Sequence, residues 1–373
     1  MYVMEDVSKL KLSDLFKLVD DPRSKQGLIY PLAFILNCAQ SAIICGASGF
    51  KQIGEWINAQ SYSKLELMGN KFRRKPHEST IRKCLRKLEI YSFKDLCYKW
   101  SLAKESLIKE KSDAIAVDGK TLRASRNFNN RQPHLLSAVT HNTGILVGDQ
   151  LVPNKKSEVQ SIIPLLDTIN IAGKVVTADA LHTISSFGLY LKLRGADYVF
   201  IAKGNKKKLI DRLKMINIRE AYDSFSVTAE KSHGRLEKRK LFLISTLPWW
   251  LWFKSAQQAF ILERTRTDIK SGKIESESHF GLTSLSRKQA DAARILRIVR
   301  GHWAIENKAF HVRDRTFQED QSTVKSGILP EIMVVFRNLA LNLFRLKRVK
   351  NLSEETRLCM LNPGKELKYL GLN

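Results

Sequence analysis

Apolar residues recur at intervals of three and four between Leu10 and about Lys109, as in Leu32, Ile35, Leu36 and Ala39 and again in Ile81, Leu85 and Leu88. That is the spacing of one buried helix face, and it predicts a helical N-terminal region. Its most apolar stretch, Pro31 to Ser48, is interrupted by Asn37, Gln40 and Ser41 and reads as a buried helix. Gly46-Ala-Ser-Gly predicts a break between two helices, and Asp20 to Gly27 a basic turn. Lys71 to Arg86 has the look of a helix-turn-helix entry, with a helix start near Glu78 or Ser79 and Arg82, Lys83 and Arg86 on the following turns. A solvated helix face explains the same residues equally well.

The pattern changes at Asp113. Ala114-Ile-Ala-Val-Asp-Gly is a short apolar run ending in a carboxylate and a turn, and His134 to Val139 and Gly144 to Val152 read as two more strands joined through Asn142-Thr-Gly. A helix is expected over Ser157 to Ile169, with Ser157 as cap, then strands at Gly173 to Asp179 and Tyr198 to Lys203. Three strands in a meander, a crossover helix and two further strands give the order of a ribonuclease-H-like mixed sheet. Short β-like runs at Lys238 to Ser245 and Ala259 to Thr267 predict a β-rich insertion, in which Pro248-Trp-Trp-Leu-Trp-Phe reads as core or cover more readily than as a base-stacking platform. A long basic helix is expected from Ser286 to Gly301, continued by Trp303 to His311, and a last apolar helix, Leu329 to Leu346, is expected to pack on the sheet. The α/β chain thus divides into a helical N-terminal domain (1–110), a first part of the core (111–205), the β-rich insertion (206–285), C-terminal core helices (286–350) and a tail (351–373).

Charge then narrows the partners. Lys and Arg number 63 against 37 Asp and Glu, a formal charge of +26, spread along the whole chain and not gathered on one amphipathic helix. Nucleic acid is the polyanion such a distribution fits, in preference to a membrane surface. The first residues are dotted with charge and carry no signal-peptide pattern, so a cytoplasmic, nucleoid-associated protein is expected. The five cysteines show no zinc spacing and are expected to be reduced structural residues.

Two carboxylates, Asp118 and Asp179, fall at the ends of predicted strands. If those strands are neighbours, both project into one cleft, where divalent cations would relieve their repulsion. Hard oxygen ligands of this kind suit Mg²⁺ or Mn²⁺, and a pair of ions supports in-line displacement at phosphorus. Glu306 is the choice for a third ligand, because His302 one turn before it and Arg313 two turns after would share its face on a persistent helix. Asp314, Glu319 and Asp320 are its rivals on composition.

Val117-Asp-Gly-Lys-Thr-Leu-Arg, Thr177-Ala-Asp-Ala-Leu-His-Thr, Tyr198-Val-Phe-Ile-Ala-Lys-Gly-Asn, His302-Trp-Ala-Ile-Glu-Asn and Val312-Arg-Asp-Arg-Thr-Phe-Gln-Glu-Asp together resemble the bacterial insertion-sequence transposases related to the H-repeat-associated proteins. Asp21-Pro-Arg, Tyr30-Pro-Leu, Cys45-Gly and Phe50-Lys-Gln-Ile-Gly-Glu-Trp resemble the helical domain that precedes their catalytic domain, so the likeness runs from about Leu10 to Leu346. The resemblance implies a ribonuclease-H-like core with a β-rich insertion before the last acid, and Asp118, Asp179 and Glu306 as the catalytic, metal-binding triad. The intervals of 61 and 127 residues leave room for that insertion. Ile184, Lys206 and Arg315 depart from the family pattern at positions that are not proposed ligands.

The resemblance thereby implies a metal-dependent transposase that binds terminal inverted repeats and target DNA in double-stranded form, acting as a homodimer when two ends are brought together. Expected DNA contacts are Lys120 and Arg123 beside the first aspartate, Lys203, Lys206 and Lys207 in the basic loop, Arg264 and Arg266 on one insertion strand, and His302 and Arg313. His182 is a candidate to orient Asp179. A ribonuclease-H-fold DNA endonuclease, and a decayed transposase or DNA-binding repressor, are the competing functions.

Overall fold

In the computed structural model, which describes residues 4–24, 26, 28–109, 111–122, 134–154, 157–232 and 234–372, the helical N-terminal pattern becomes α1 (Met4–Lys9), α2 (Leu12–Leu15), α3 (Leu32–Ile44), α4 (Phe50–Ala59), α5 (Tyr62–Leu67), α6 (Glu78–Leu85) and α7 (Ile90–Ser106). Next come β1 (Ala114–Thr121), β2 (His134–Thr140), β3 (Leu146–Val152), α8 (Glu158–Asp167), β4 (Val175–Ala178), α9 (Ser185–Leu193) and β5 (Asp197–Ala202). After these the chain forms α10 (Lys207–Met215), α11 (Ile218–Ala221), β6 (Ser224–Ser232), β7 (Arg235–Ile244), β8 (Gln258–Asp268) and β9 (Ile274–Thr283). It ends with α12 (Ala292–Gly301), a π-helix (Ile305–Phe310), α13 (His311–Arg315), α14 (Leu329–Leu346), α15 (Leu352–Leu361) and α16 (Leu367–Leu370). The fold is mixed α/β with a helical N-terminal region, and no helix among the described residues is long and apolar enough to cross a membrane.

Two compact units divide the chain. The first comprises Met1–Lys111, Gly119–Ile169 and Ile305–Asn373, and the second Ser112–Asp118 and Asn170–Ala304. These units cut across the segments expected from the sequence, and the dividing line passes through β1, between Asp118 and Gly119.

In the first unit α14, expected to lie on a sheet, is buried at every position from Ile332 to Phe344 and packs against α3, α7 and β3. Polar side chains stitch this interior because a buried amide needs a partner. Gln40 donates to the Phe336 carbonyl at 3.2 Å, Asn37 to the Met68 carbonyl at 3.1 Å, and Asn342 to Ser101 Oγ at 3.0 Å and the Leu146 carbonyl at 2.9 Å. Strands β2 and β3 form an antiparallel hairpin in the same unit. The helix start expected near Glu78 is the start of α6, with Arg82, Lys83 and Arg86 exposed on it or just past its end; ten residues (68–77) separate it from α5 and four (86–89) from α7.

The second unit is built on a large mixed sheet in the order β1-β4-β5-β9-β8-β7-β6. β1 pairs parallel with β4 and β4 with β5, whereas the β5–β9, β9–β8, β8–β7 and β7–β6 pairs are antiparallel. The β-rich stretch therefore extends the same sheet through β9, with Val199 opposite Thr283 and Ala202 opposite Phe280. Ile295, Leu296 and Val299 of α12 close over Val175, Val199, Leu241, Leu243 and Phe260 in one core. Each such side chain stabilises the unit by about 1.5–3 kcal/mol when fully buried. α12 is shorter than the pattern suggested. Asp291 accepts the Arg294 N–H at 2.8 Å and caps the helix there, leaving Ser286 to Ala290 as a turn closed by Gln289.

Candidate active site

Within the second unit, parallel β1 and β4 run in register from Ala114 opposite Val175 to Val117 opposite Ala178. The next residue along each chain is an aspartate, so Asp118, still within β1, and Asp179, just past the end of β4, stand side by side at the spacing of neighbouring strands, about 4.8 Å. Both are half-buried. β1 and β4 bring them together because the buried apolar run Ala114–Val117 of β1 pairs with all of β4 and ends at the same level of the sheet.

Asp179 turns out of β4 as the cap of a short 3-10 turn, Ala180–His182, its Oδ1 accepting the Ala180 N–H at 2.7 Å. Lys203 Nζ, in the loop after β5, stands 3.1 Å from the same oxygen. Burial works to raise this carboxyl, but the Ala180 N–H and the Lys203 charge outweigh it, so it titrates below the usual 3.8 and is ionised at neutral pH. A cation already stands against Asp179, and a pair of hard oxygen donors is the chemistry that Mg²⁺ or Mn²⁺ accepts, so the residues present fit such ions. Among the described residues, no three His, Cys, Asp or Glu side chains form a ready-made metal cluster.

His302, at the C-terminal end of α12, shares a 3.0 Å hydrogen bond from Nδ1 with Thr177 Oγ1, two residues before Asp179. Burial pushes its imidazole down to about 4 against the opposing pull of Asp179. The bond to Thr177 ties the end of α12 to β4. His182 is buried against the Phe187 ring.

Glu306, in the first unit, is exposed and is the second residue of the π-helix. The expectation that Glu306 and Arg313 share one helical face assumed unbroken α-helix. A π-helix pairs i with i+5 and takes in an extra residue, which shifts the phase of the chain beyond it. Arg313 accordingly points inward and is wholly buried, with Nε 3.3 Å from Glu319 and Nη1 donating to Asn338 Oδ1 at 3.2 Å. It does not reach the surface, and the expected DNA contact is corrected to an internal ion pair.

Lys120 is likewise engaged. Its ammonium binds Asp314, lies 3.0 Å from Glu319 and 3.5 Å from Asp320, so the three acids that rivalled Glu306 converge on one lysine. The Glu319 carboxyl is buried. Burial works to raise it, and Arg313, Lys120 and Arg337 hold it below the usual 4.5. From Arg313 the network continues through Asn338 to Tyr98 and Asp149, whose other oxygen meets Lys94 at 2.6 Å. The residue between Asp118 and Lys120 is Gly119, where a Cβ would overlap His134 Nε2 and stand 2.9 Å from the Glu158 carboxyl carbon. His134 and Glu158, themselves a buried 3.3 Å pair, leave room for glycine alone. Sequence reasoning missed this pair and the Glu319 network. The signal was present only as unexplained charge inside apolar runs, because the partners lie far apart in the chain.

Of the other basic candidates, Lys203 and Lys207 are exposed, and Lys206 is half-buried, its amine pushed down by burial. Arg264 and Arg266 sit on one face of β8, but both meet Glu237 on β7 and Arg264 also meets Glu277 on β9 at 3.2 Å. The Arg264 guanidinium lies 5.9 Å from the Trp303 ring centre. Arg123 lies outside the described residues. The five cysteines are free and buried, as expected, and desolvation pushes the Cys45 thiol up to about 12 and Cys84 to about 11, which leaves them inert.

A family model described as the transposase DDE domain matches residues 109–343, and a second, DDE_Tnp_1-associated, matches residues 13–101. The chain is 27% identical over 348 residues to a putative transposase, YncI, of Escherichia coli O157:H7, covering 90% of this chain and 87% of that one. It is 26% identical over 352 residues to the H repeat-associated putative transposase YhhI of Escherichia coli K12, covering 91% of each. Among solved structures, a piggyBac transposase synaptic complex with hairpin DNA aligns over 99% of this chain and 81% of that one at 8% identity, with a TM-score of 0.41, a value that assigns no fold.

Proposed function

Because this chain belongs to the DDE transposase family, we propose that it binds the terminal inverted repeats of its own element, cleaves there and joins the ends to target DNA, using Asp118, Asp179 and Glu306 as one ligand set for two divalent cations, Mg²⁺ or Mn²⁺. The observation that carries this reading is the β1/β4 register, which sets Asp118 beside Asp179 at one end of a parallel strand pair. Such a pair lies at the core of a ribonuclease-H-like sheet, the fold class this reading requires.

When bound, the cations supply an activated water or 3′-hydroxyl and a stabilised leaving oxygen for in-line displacement at phosphorus. The protein's own part is to hold its ligands in place. The Ala180 N–H fixes the Asp179 oxygen, and the Thr177–His302 bond fixes the end of α12, from which Glu306 follows four residues along the chain. Lys203 neutralises Asp179 in the absence of a cation and moves to a DNA phosphate when one binds, which makes it a sequence-independent contact. Two ends must be brought together, so the working form is a homodimer on double-stranded DNA.

Labelled terminal-repeat DNA tests the proposal. Cleavage and strand-transfer products are expected in Mg²⁺ and are expected to vanish in Asp118→Asn, Asp179→Asn and Glu306→Gln while DNA affinity persists. Full cleavage by any of these variants overturns the ligand set, and hydrolysis without joined products reduces the activity to that of a nuclease.

A further inference from the structure

Between β7 and β8 the run Pro248-Trp-Trp-Leu-Trp-Phe folds as a 3-10 turn over Trp249–Leu251 with a left-handed residue, Trp252, at its end. Leu251 and Phe253 turn into the core, whereas Trp249 is 83% exposed and Trp252 66% exposed. The sequence pattern placed this whole cluster in the core or cover of the insertion. The fold buries the Leu and Phe and leaves two of its largest apolar side chains in water, beside an open cleft of about 580 Å³ that Pro248 and Lys254 also line.

The surroundings say what such a surface suits. α10 packs against the turn, and its Arg212 guanidinium lies 5.1 Å from the Trp252 ring centre. Lys207, Lys208 and Lys214 are exposed on the same helix with Asp211 as its one acid, and Lys254 is exposed on the turn itself. Among the described residues none of these five cations is in an ion pair, in contrast with Arg264 and Arg266, which cross-strand acids hold. Lysine is depleted at protein–protein interface cores. Indole faces beside unpaired cations are the combination that binds single-stranded nucleic acid, with bases stacked on rings and phosphates along the basic groups.

We propose that Trp249 and Trp252, with the cations of α10, form a stacking platform for unpaired bases of single-stranded DNA. This site uses none of the proposed metal-binding carboxylates and rests on the reading of the chain as a DNA-handling enzyme. Bases inside a duplex have no free faces, so the platform discriminates in favour of opened or displaced strands.

The experiment compares metal-free binding of a labelled oligothymidine and of a blunt duplex of the element end by the full chain. Trp249→Ala and Trp252→Ala are each expected to weaken oligothymidine binding roughly 5- to 100-fold, with Trp252→Phe retaining most of it, while duplex affinity changes less than about twofold. Both tryptophans are exposed, and circular dichroism checks that the fold is kept. Unchanged oligothymidine affinity, or equal loss on both ligands, overturns the platform while leaving the carboxylate chemistry standing. Loss of self-association with no effect on oligothymidine also overturns it, making the patch an interface between copies. Failure of the wild-type chain to bind either DNA overturns this inference and the proposed function together.

Discussion

Glu319 in the first unit and Asp179 in the second are both carboxylates held below their usual titration range, and the two are built differently. Glu319 is sealed among Arg313, Arg337 and Lys120, with 3% of its side chain exposed. Asp179 keeps 33% exposure and leans on one backbone N–H and on a lysine that is itself 57% exposed. A shifted pKa marks both, so it does not by itself point to a working site. What separates them is whether the partner can be exchanged: Glu319 can release its cations only if its core opens, whereas Asp179 can trade Lys203 for another cation without repacking anything.

That contrast breaks most readily at the aspartates. Asp118→Asn and Asp179→Asn should each lower Mg²⁺-dependent cleavage by about 10³-fold or more, with a melting temperature close to wild type. An equal loss in a fully folded Glu319→Gln would show that the buried cluster takes part in chemistry and dissolve the distinction. Glu319→Ala should instead cost about 3–5 kcal/mol of stability, read as a lowered urea midpoint, because it strands buried cations.

The pH dependence sharpens the same point. A carboxyl whose folded pKa is depressed contributes stability that is complete above its unfolded value and fades as pH falls toward the folded one. Glu319 therefore predicts a stability loss in the first unit that sets in as pH drops below 4.5. Glu319→Gln should flatten that acid limb in melting curves taken at successive pH values. Gly119→Ala, which drives a methyl into His134 and Glu158, should destabilise by about 1–3 kcal/mol. Least of all, Lys203→Met should change stability by under about 1 kcal/mol, yet reduce the salt dependence of DNA binding by about one phosphate contact. A large stability loss there would mean that Lys203 is structural after all.

Much of the frame was legible from the sequence. β1, β4 and β5 each carry an apolar run of strand length, and Asp118 and Asp179 stand out because they are the first charged residues after Ala114–Val117 and Val175–Ala178. The start of α12 was misjudged because Ser286 and Asp291 both offer a cap and only the fold shows that Asp291 is used. Fates of charged residues were least readable. Lys120 meets acids 194 and 199 residues away, and Arg264 meets one 27 residues away, distances over which periodicity carries no information. The tryptophan run shows the converse limit. Its hydrophobicity suggested burial, but whether a given ring faces inward depends on the turn and on a positive φ at Trp252, which composition does not encode.

The π-helix at Ile305–Phe310 has a consequence for how this segment tolerates length change. A π-turn takes one residue more than the α-turn it replaces, so removing one residue from this stretch lets the backbone relax to ordinary i to i+4 pairing and leaves the chain beyond it in place, with the Arg313 guanidinium still beside Glu319. Adding a residue would draw on no such slack and would turn Arg313 away from its counter-charge. Shortening by one residue is therefore better absorbed here than lengthening by one.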